Sequence, residues 1–160
     1  DEETETWLGR DKTPYALDSR SDVKVLLAEP SYLDEIAQLH HQAFSDAEQT
    51  LEVSRRYITE ALKDSDGLLY ILIKEGQVIG VCTVDLSGNN NYLYGLAVAE
   101  AYRGQGYGSY LAKSVVNQLI AQNDKSFQIA VEDSNVGAKR LYEKIGFVNQ
   151  TQVVYLKQKG

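Results

Sequence analysis

Residues 103–108 read Arg-Gly-Gln-Gly-Tyr-Gly, set between an apolar run, Tyr92–Val98, and an amphipathic stretch from about Gly106 to Gln122. This punctuation constrains the fold more than any other part of the chain. Glycine at every second position ends a strand and permits backbone conformations closed to other residues. A strand that stops, turns and restarts as a helix belongs to an α/β arrangement, with the helix crossing back over the sheet. The first turn of such a helix has N–H groups without partners and carries the positive end of the dipole. With Arg103 at the mouth, the segment reads as a cradle for an anion such as a diphosphate. It is neither a Walker loop nor a G-x-G-x-x-G fingerprint. By itself, a turn that merely packs helix on strand explains it as well.

The surrounding pattern fills in the fold. Val23–Leu27 is a short strand closed by Pro30. Ser31 and Asp34 are spaced as a capping box for a helix reaching about Phe44. A second helix covers Leu51–Lys63, with Thr50 as its cap. Strands follow at Leu68–Lys74, Gln77–Leu86 and Tyr92–Val98, joined by turns short enough for antiparallel hairpins. After the long helix come a strand at Phe127–Val131, a helix from Asn135 to Ile145 stopped by Gly146, and a last strand, Phe147–Lys157. The expected fold class is α/β with a mixed sheet, in the order β-α-α-β-β-β-α-β-α-β. Residues 1–22 hold seven acidic residues and little periodicity, and read as a tail or linker ahead of a domain at 23–160.

Composition narrows the function. The 160 residues carry 16 basic and 23 acidic side chains, a net charge of −7. An acidic surface repels phosphate backbones, which excludes non-specific nucleic-acid binding. No apolar run approaches the ~20 residues of a spanning helix, so no membrane role is expected. Cys82 is the single cysteine and lies in the apolar run Val78–Val84, where it reads as core packing. One Cys and the adjacent pair His40-His41 make no metal-ligand set. The absence of a disulfide pair fits a reducing, cytoplasmic setting. With no Met, the chain is expected to be a processed product, a fragment or a domain of a longer protein.

A second segment changes the reading. Asn135-Val136-Gly137-Ala138-Lys139-Arg140-Leu141-Tyr142 continues to Gly146-Phe147, an N-capped helix with Ala138, Leu141, Tyr142 and Ile145 on one face. With Arg103–Gly108 after Leu96-Ala97-Val98, it resembles the GNAT superfamily of acyl-CoA-dependent N-acyltransferases over about residues 23–157. The carrying motifs are R/Q-x-x-G-x-G/A and N-x-x-A-x-x-L-Y-x-x-x-G-F.

The resemblance implies acetyl-CoA as donor and a small-molecule or peptide amine as acceptor. It implies that the backbone of Gly104, Gln105, Gly106, Tyr107, Gly108 and Ser109 holds the CoA diphosphate. It sets Leu96, Ala97 and Val98 beside the pantetheine arm, where that strand is bulged and splayed from its parallel neighbour. Asn135 and Ala138 would border the cofactor, and Tyr142 would act as general acid on the leaving thiolate. The family often places a Glu a few residues before L-A-V. Asn91–Gly95 contains no carboxylate, so Asp85, Glu132, His40, His41 or a water chain past Tyr92 and Tyr94 remain open as the base.

The acceptor would meet the two early helices and Tyr92 and Tyr94. The acids Asp34, Glu35, Asp46, Glu48, Glu52 and Glu60 there read either as a cleft for a cationic amine or as a wet helix face. Many relatives end in two strands after G-F, and here only about one fits. The second is expected to be absent, supplied by a neighbouring chain (a homodimer or tandem partner), or replaced by part of residues 1–22, with Thr13–Ser19 as the docking piece.

Overall fold

The computed structural model describes residues 2–44 and 50–156. Seven strands form one sheet: β1 (Glu2–Arg10), β2 (Lys24–Leu27), β3 (Gly67–Lys74), β4 (Gln77–Asp85), β5 (Asn91–Val98), β6 (Phe127–Glu132) and β7 (Val148–Leu156). Their order across the sheet is β2-β3-β4-β5-β6-β1-β7, and only β5 and β6 run parallel. Helices α1 (Leu33–Phe44) and α2 (Leu51–Lys63) pack on one face, and α3 (Tyr107–Gln122) and α4 (Val136–Lys144) on the other. Each face has its own core. Leu111, Val115 and Leu119 of α3 bury against Tyr70, Cys82, Leu93 and Ile129. Ile36, Ala37 and Ile58 bury against Leu69, Ile71, Val81 and Ala97.

Local chemistry accounts for most element ends. Thr50 Oγ1 accepts from the Val53 N–H and caps α2. Gly146, at a φ of +97°, closes α4, and the N–H of Phe147 reaches the Tyr142 carbonyl. The Ser31–Asp34 capping box does not form. Pro30 fixes its own φ and opens a one-turn 3-10 helix that takes in Ser31, and α1 continues from it.

The sheet needs a partner between β6 and β7, and β1 supplies it. Residues Glu5 to Arg10 pair with Glu132 to Phe127 on one side, and Glu2 to Gly9 with Leu156 to Val148 on the other. The docking strand is therefore Glu2–Arg10 and not Thr13–Ser19. A strand of acidic and polar residues is legible only by its alternation, with Thr6 and Leu8 buried against the core. Thr13–Ser19 crosses the α3 face without joining the sheet. There Asn117 holds it by accepting from the Tyr15 N–H (2.8 Å) and donating to the Tyr15 carbonyl (3.0 Å).

Leu8 is fully buried. Leu8→Ala is expected to destabilise the domain by about 3 kcal/mol, from lost transfer energy and the cavity left behind. Urea unfolding checks this, and a loss under about 1 kcal/mol would separate β1 from the folded core.

Candidate active site

The ladder between β5 and β6 has three pairs, Asn91 with Phe127 to Leu93 with Ile129, and then stops. The cause lies in β5. Thr83 pairs with Tyr94 and Val81 with Ala97, so Gly95 and Leu96 together oppose the single residue Cys82. This β-bulge is possible because residue 95 is glycine, at a φ of +66°. The extra residue reverses the strand's alternation. Tyr92 and Tyr94 face the α1–α2 side, whereas Leu96 and Val98 beyond the bulge pack with the α3–α4 core. From Tyr94 onward the β6 side of the β5 backbone has no strand partner.

A groove of about 710 Å³ opens along this divergence. Leu96, Ala97, Val98 and Phe44 form its β5 side, and Asn135, Ala138 and Leu141 its α4 side. The glycine loop closes one end, through Arg103, Gly104, Gly106, Tyr107, Gly108 and Ser109. Gly104 and Gly106 hold φ of +74° and +84°. Gly106 is also the N-cap of α3, so no side chain accepts from the first-turn N–H groups. Arg103 donates from Nε to the Val98 carbonyl at 2.9 Å and so ties the loop to the strand end. Gly108 instead allows close packing of α3 on α4, since a Cβ there would lie 2.9 Å from Leu141 Cδ1.

The remaining expected residues are placed as follows. Gln105 is exposed, with its side chain donating to the Ala101 carbonyl. Asn135 accepts from the Ala138 N–H at 3.1 Å and caps α4 while bordering the groove. Tyr142 is 4% exposed, stands edge-on to Phe147, and does not border the groove. Burial, with smaller effects of Cys82 and Tyr92, holds its phenol well above the ordinary range and therefore protonated. Burial also pushes the Cys82 thiol up to about 12, so it is no nucleophile at neutral pH.

Asp85 is not brought to the groove: its carboxylate accepts from the N–H and hydroxyl of Ser87 in the turn after β4. Those bonds, the main influence on it, lower its pKa. Glu132 is exposed at the end of β6. Tyr92 stacks between Trp7 (5.7 Å) and Tyr94 (5.8 Å). His40 borders a second cavity with Tyr94, and His41 does not. Of the acids expected to form a cleft for a cationic amine, Asp34, Glu35, Glu52 and Glu60 do not border that cavity, and Glu60 instead borders an adjoining one with Asp64, Tyr57 and Tyr94. Asp34 pairs with Arg55, and Glu35 accepts from the Val78 N–H. Asp46 and Glu48 lie outside the described residues. Among the described residues no cluster of His, Cys, Asp or Glu is placed to hold a metal ion, and no helix is long and apolar enough to cross a membrane.

The structure adds cations that the motifs do not contain. Arg140 and Lys144, one turn apart on α4, border the groove. Arg20 lies over the Tyr107 ring at 4.3 Å, and its Nη1 is 4.0 Å from where a Gly106 Cβ would be. Asp22 holds Arg20, and also accepts from Lys74 and the Tyr107 hydroxyl. Arg20 comes from the linker, where no sequence pattern marks it.

Residues 33–147 match the model of the acetyltransferase (GNAT) family, and the chain belongs to that family. It is similar to a [ribosomal protein bS18]-alanine N-acetyltransferase from Haemophilus influenzae, 33% identical over 54% of the chain and 60% of that protein. It is also similar to a pig (Sus scrofa) thialysine N-epsilon-acetyltransferase, 36% identical over 41% of the chain and 39% of that protein. The match therefore spans less than two thirds of either relative. Among solved structures, a predicted acetyltransferase with acetyl-CoA from Clostridium acetobutylicum shares the fold, with a TM-score of 0.63 and 13% identity over 80% of this chain and 91% of that one.

Two outcomes follow. Gly106→Val forces a β-branched residue into a left-handed conformation costing about 1–2 kcal/mol, and is expected to remove the thermal shift given by CoA while the protein stays folded. A normal shift would place the diphosphate elsewhere. Asp22 has its pKa lowered to about 2, chiefly by Arg20. Its contribution to stability is thus present above the unfolded value of about 4 and lost as pH falls through 2. The stability gap between wild type and Asp22→Asn, read by urea unfolding, is expected to be widest near pH 6 and to close towards pH 2.

Proposed function

We propose that this chain transfers an acetyl group from acetyl-CoA to a primary amine by direct attack on the thioester. The observation that carries this reading is the uncapped start of α3. Helices α2 and α4 have side-chain caps from Thr50 and Asn135, whereas the first turn of α3 has none and opens into the groove. Unpaired N–H groups, the helix dipole and the cations Arg103, Arg140 and Lys144 suit a diphosphate. The apolar wall of Leu96, Val98 and Leu141 suits the pantetheine arm, and the unpaired β5 backbone offers hydrogen bonds to that arm and to the thioester carbonyl.

When bound, acetyl-CoA supplies an activated acyl carbon: an N–C bond forms there as the C–S bond breaks. The protein's own residues place the two reactants side by side, which accounts for much of the acceleration. Tyr142, kept protonated by burial, donates to sulfur. A free thiol titrates near ~8.5, so this step needs modest help. The acceptor is a primary amine. Relatives named for alanine N-acetylation and thialysine N-epsilon-acetylation support that class.

A second reading, an acyl-CoA-binding module without turnover, draws on the burial of Tyr142 behind the groove wall. Thiol release from acetyl-CoA across a panel of amines separates the two readings. Tyr142→Phe is expected to lower turnover about 100-fold with the CoA-induced thermal shift intact. Equal loss of both would assign Tyr142 to packing.

A further inference from the structure

A second cavity, of about 320 Å³, lies on the α1–α2 side of the sheet. It meets the cofactor groove at two points. Phe44 borders both spaces, and Gly95 of the bulge borders this one while Leu96 borders the other. An acceptor held here is thus next to the place where β5 and β6 diverge. The walls are aromatic. His40 stacks on Tyr57 with ring centres 4.7 Å apart, and Phe44 tilts against the same imidazole at 4.9 Å. Tyr57 and Tyr94 line the same wall. Ser54, 1% exposed, sets its Oγ 3.5 Å from His40 Nδ1.

We propose that His40 is the proton acceptor for the incoming amine, which reaches the thioester through this cavity as a primary ammonium. The inference rests on the transfer reaction proposed above and assigns its entry route and its base. Aromatic faces attract an ammonium without demanding a carboxylate, and no carboxylate borders the cavity among the described residues. The titratable groups around His40 are Tyr57 on α2, Tyr94 on β5 and its neighbour His41 on α1. Burial raises both tyrosines, Tyr94 to about 12, so neither carries charge at neutral pH. Burial, with a smaller effect of His41, holds the His40 imidazole below its ordinary range, and so neutral at pH 7. The proposal puts the ring hydrogen on Nδ1, facing Ser54 Oγ, and so makes Nε2 the nitrogen that takes the proton.

The protons balance. The attacking nitrogen loses two in all. One passes from the ammonium to His40 Nε2 and then to solvent. The second restores the Tyr142 phenol after its own proton has gone to sulfur. The acid and the base act from opposite faces of the sheet.

The experiment measures kcat/KM by thiol release between pH 5 and 9 with an alanine-first peptide, lysine and a diamine. Wild type is expected to lose activity on acidification with a midpoint below about 6.5, the free imidazole value. His40→Asn is expected to lose that limb and to fall about 100-fold at pH 7.5, with an unchanged thermal shift from CoA. Ser54→Ala, which frees Nδ1, is expected to move the midpoint and keep most of the rate. A turning-over wild type whose acid limb and rate survive His40→Asn overturns the role of His40 alone. A wild type that is shifted by CoA but releases no thiol with any amine overturns the transfer reaction, and the base with it. If His40→Asn fails to fold, imidazole NMR of the wild type decides. A His40 ring signal that titrates below 6.5 and moves on adding lysine supports the proposal, and one indifferent to lysine overturns it.

Discussion

Everything in this site depends on the sheet coming apart. Strands β5 and β6 share three pairs and then separate at a bulge that requires glycine at position 95. Separation leaves backbone N–H and C=O groups without ladder partners in the middle of a sheet. That is costly in a closed core and useful beside a polar arm that can take those bonds. The same bulge reverses side-chain parity, so one short strand presents tyrosines to one face and aliphatic residues to the other. A strand without the extra residue would send Leu96 and Val98 to the tyrosine side and leave the groove without its apolar wall.

An opened sheet must be held open from outside, and the N-terminal strand does this. β1 pairs with β6 along the edge opposite β5, and ties it to β7. Its pairs run on past Ile129 to Ala130, Val131 and Glu132, so β6 stays anchored from its far side where β5 has separated. The linker that follows crosses α3 and brings Arg20 and Asp22 to the Tyr107 ring, next to the uncapped turn. The segment that completes the sheet thus also braces the loop proposed to bind the donor.

The central and C-terminal elements were legible in the sequence because their signals are local. Thr50, Gly146 and the glycine loop mark ends by chemistry that acts within a turn. The apolar run Tyr92–Val98 after a short polar loop marked a strand, and the resemblance attached to its last residues supplied the bulge. Three things were not legible. β1 is polar, with only the alternation of Thr6 and Leu8 as a local trace, and its place comes from pairing with residues more than a hundred positions away. The capping box at Ser31 lost to Pro30, whose ring sets the backbone before a side chain can cap. The cations Arg20, Arg140 and Lys144 reach the groove or its loop by folding and belong to no motif.

The missing strand carboxylate has a physical consequence of its own. At the bulge, β5 offers glycine where a side chain would project toward the acceptor, so a proton acceptor there must come from another element. The helices over that face are the nearest source. A carboxylate among aromatic rings would be desolvated and raised, and would also hold an ammonium tightly in its charged form. A neutral imidazole binds the cation less firmly and takes its proton more readily near neutral pH. An aromatic cavity with no carboxylate among its described lining residues is therefore better matched to releasing an uncharged amine than to retaining a charged one. The sheet lies between His40 and Tyr142, so the proposed base and the proposed acid meet only through the reactants that fill its opening.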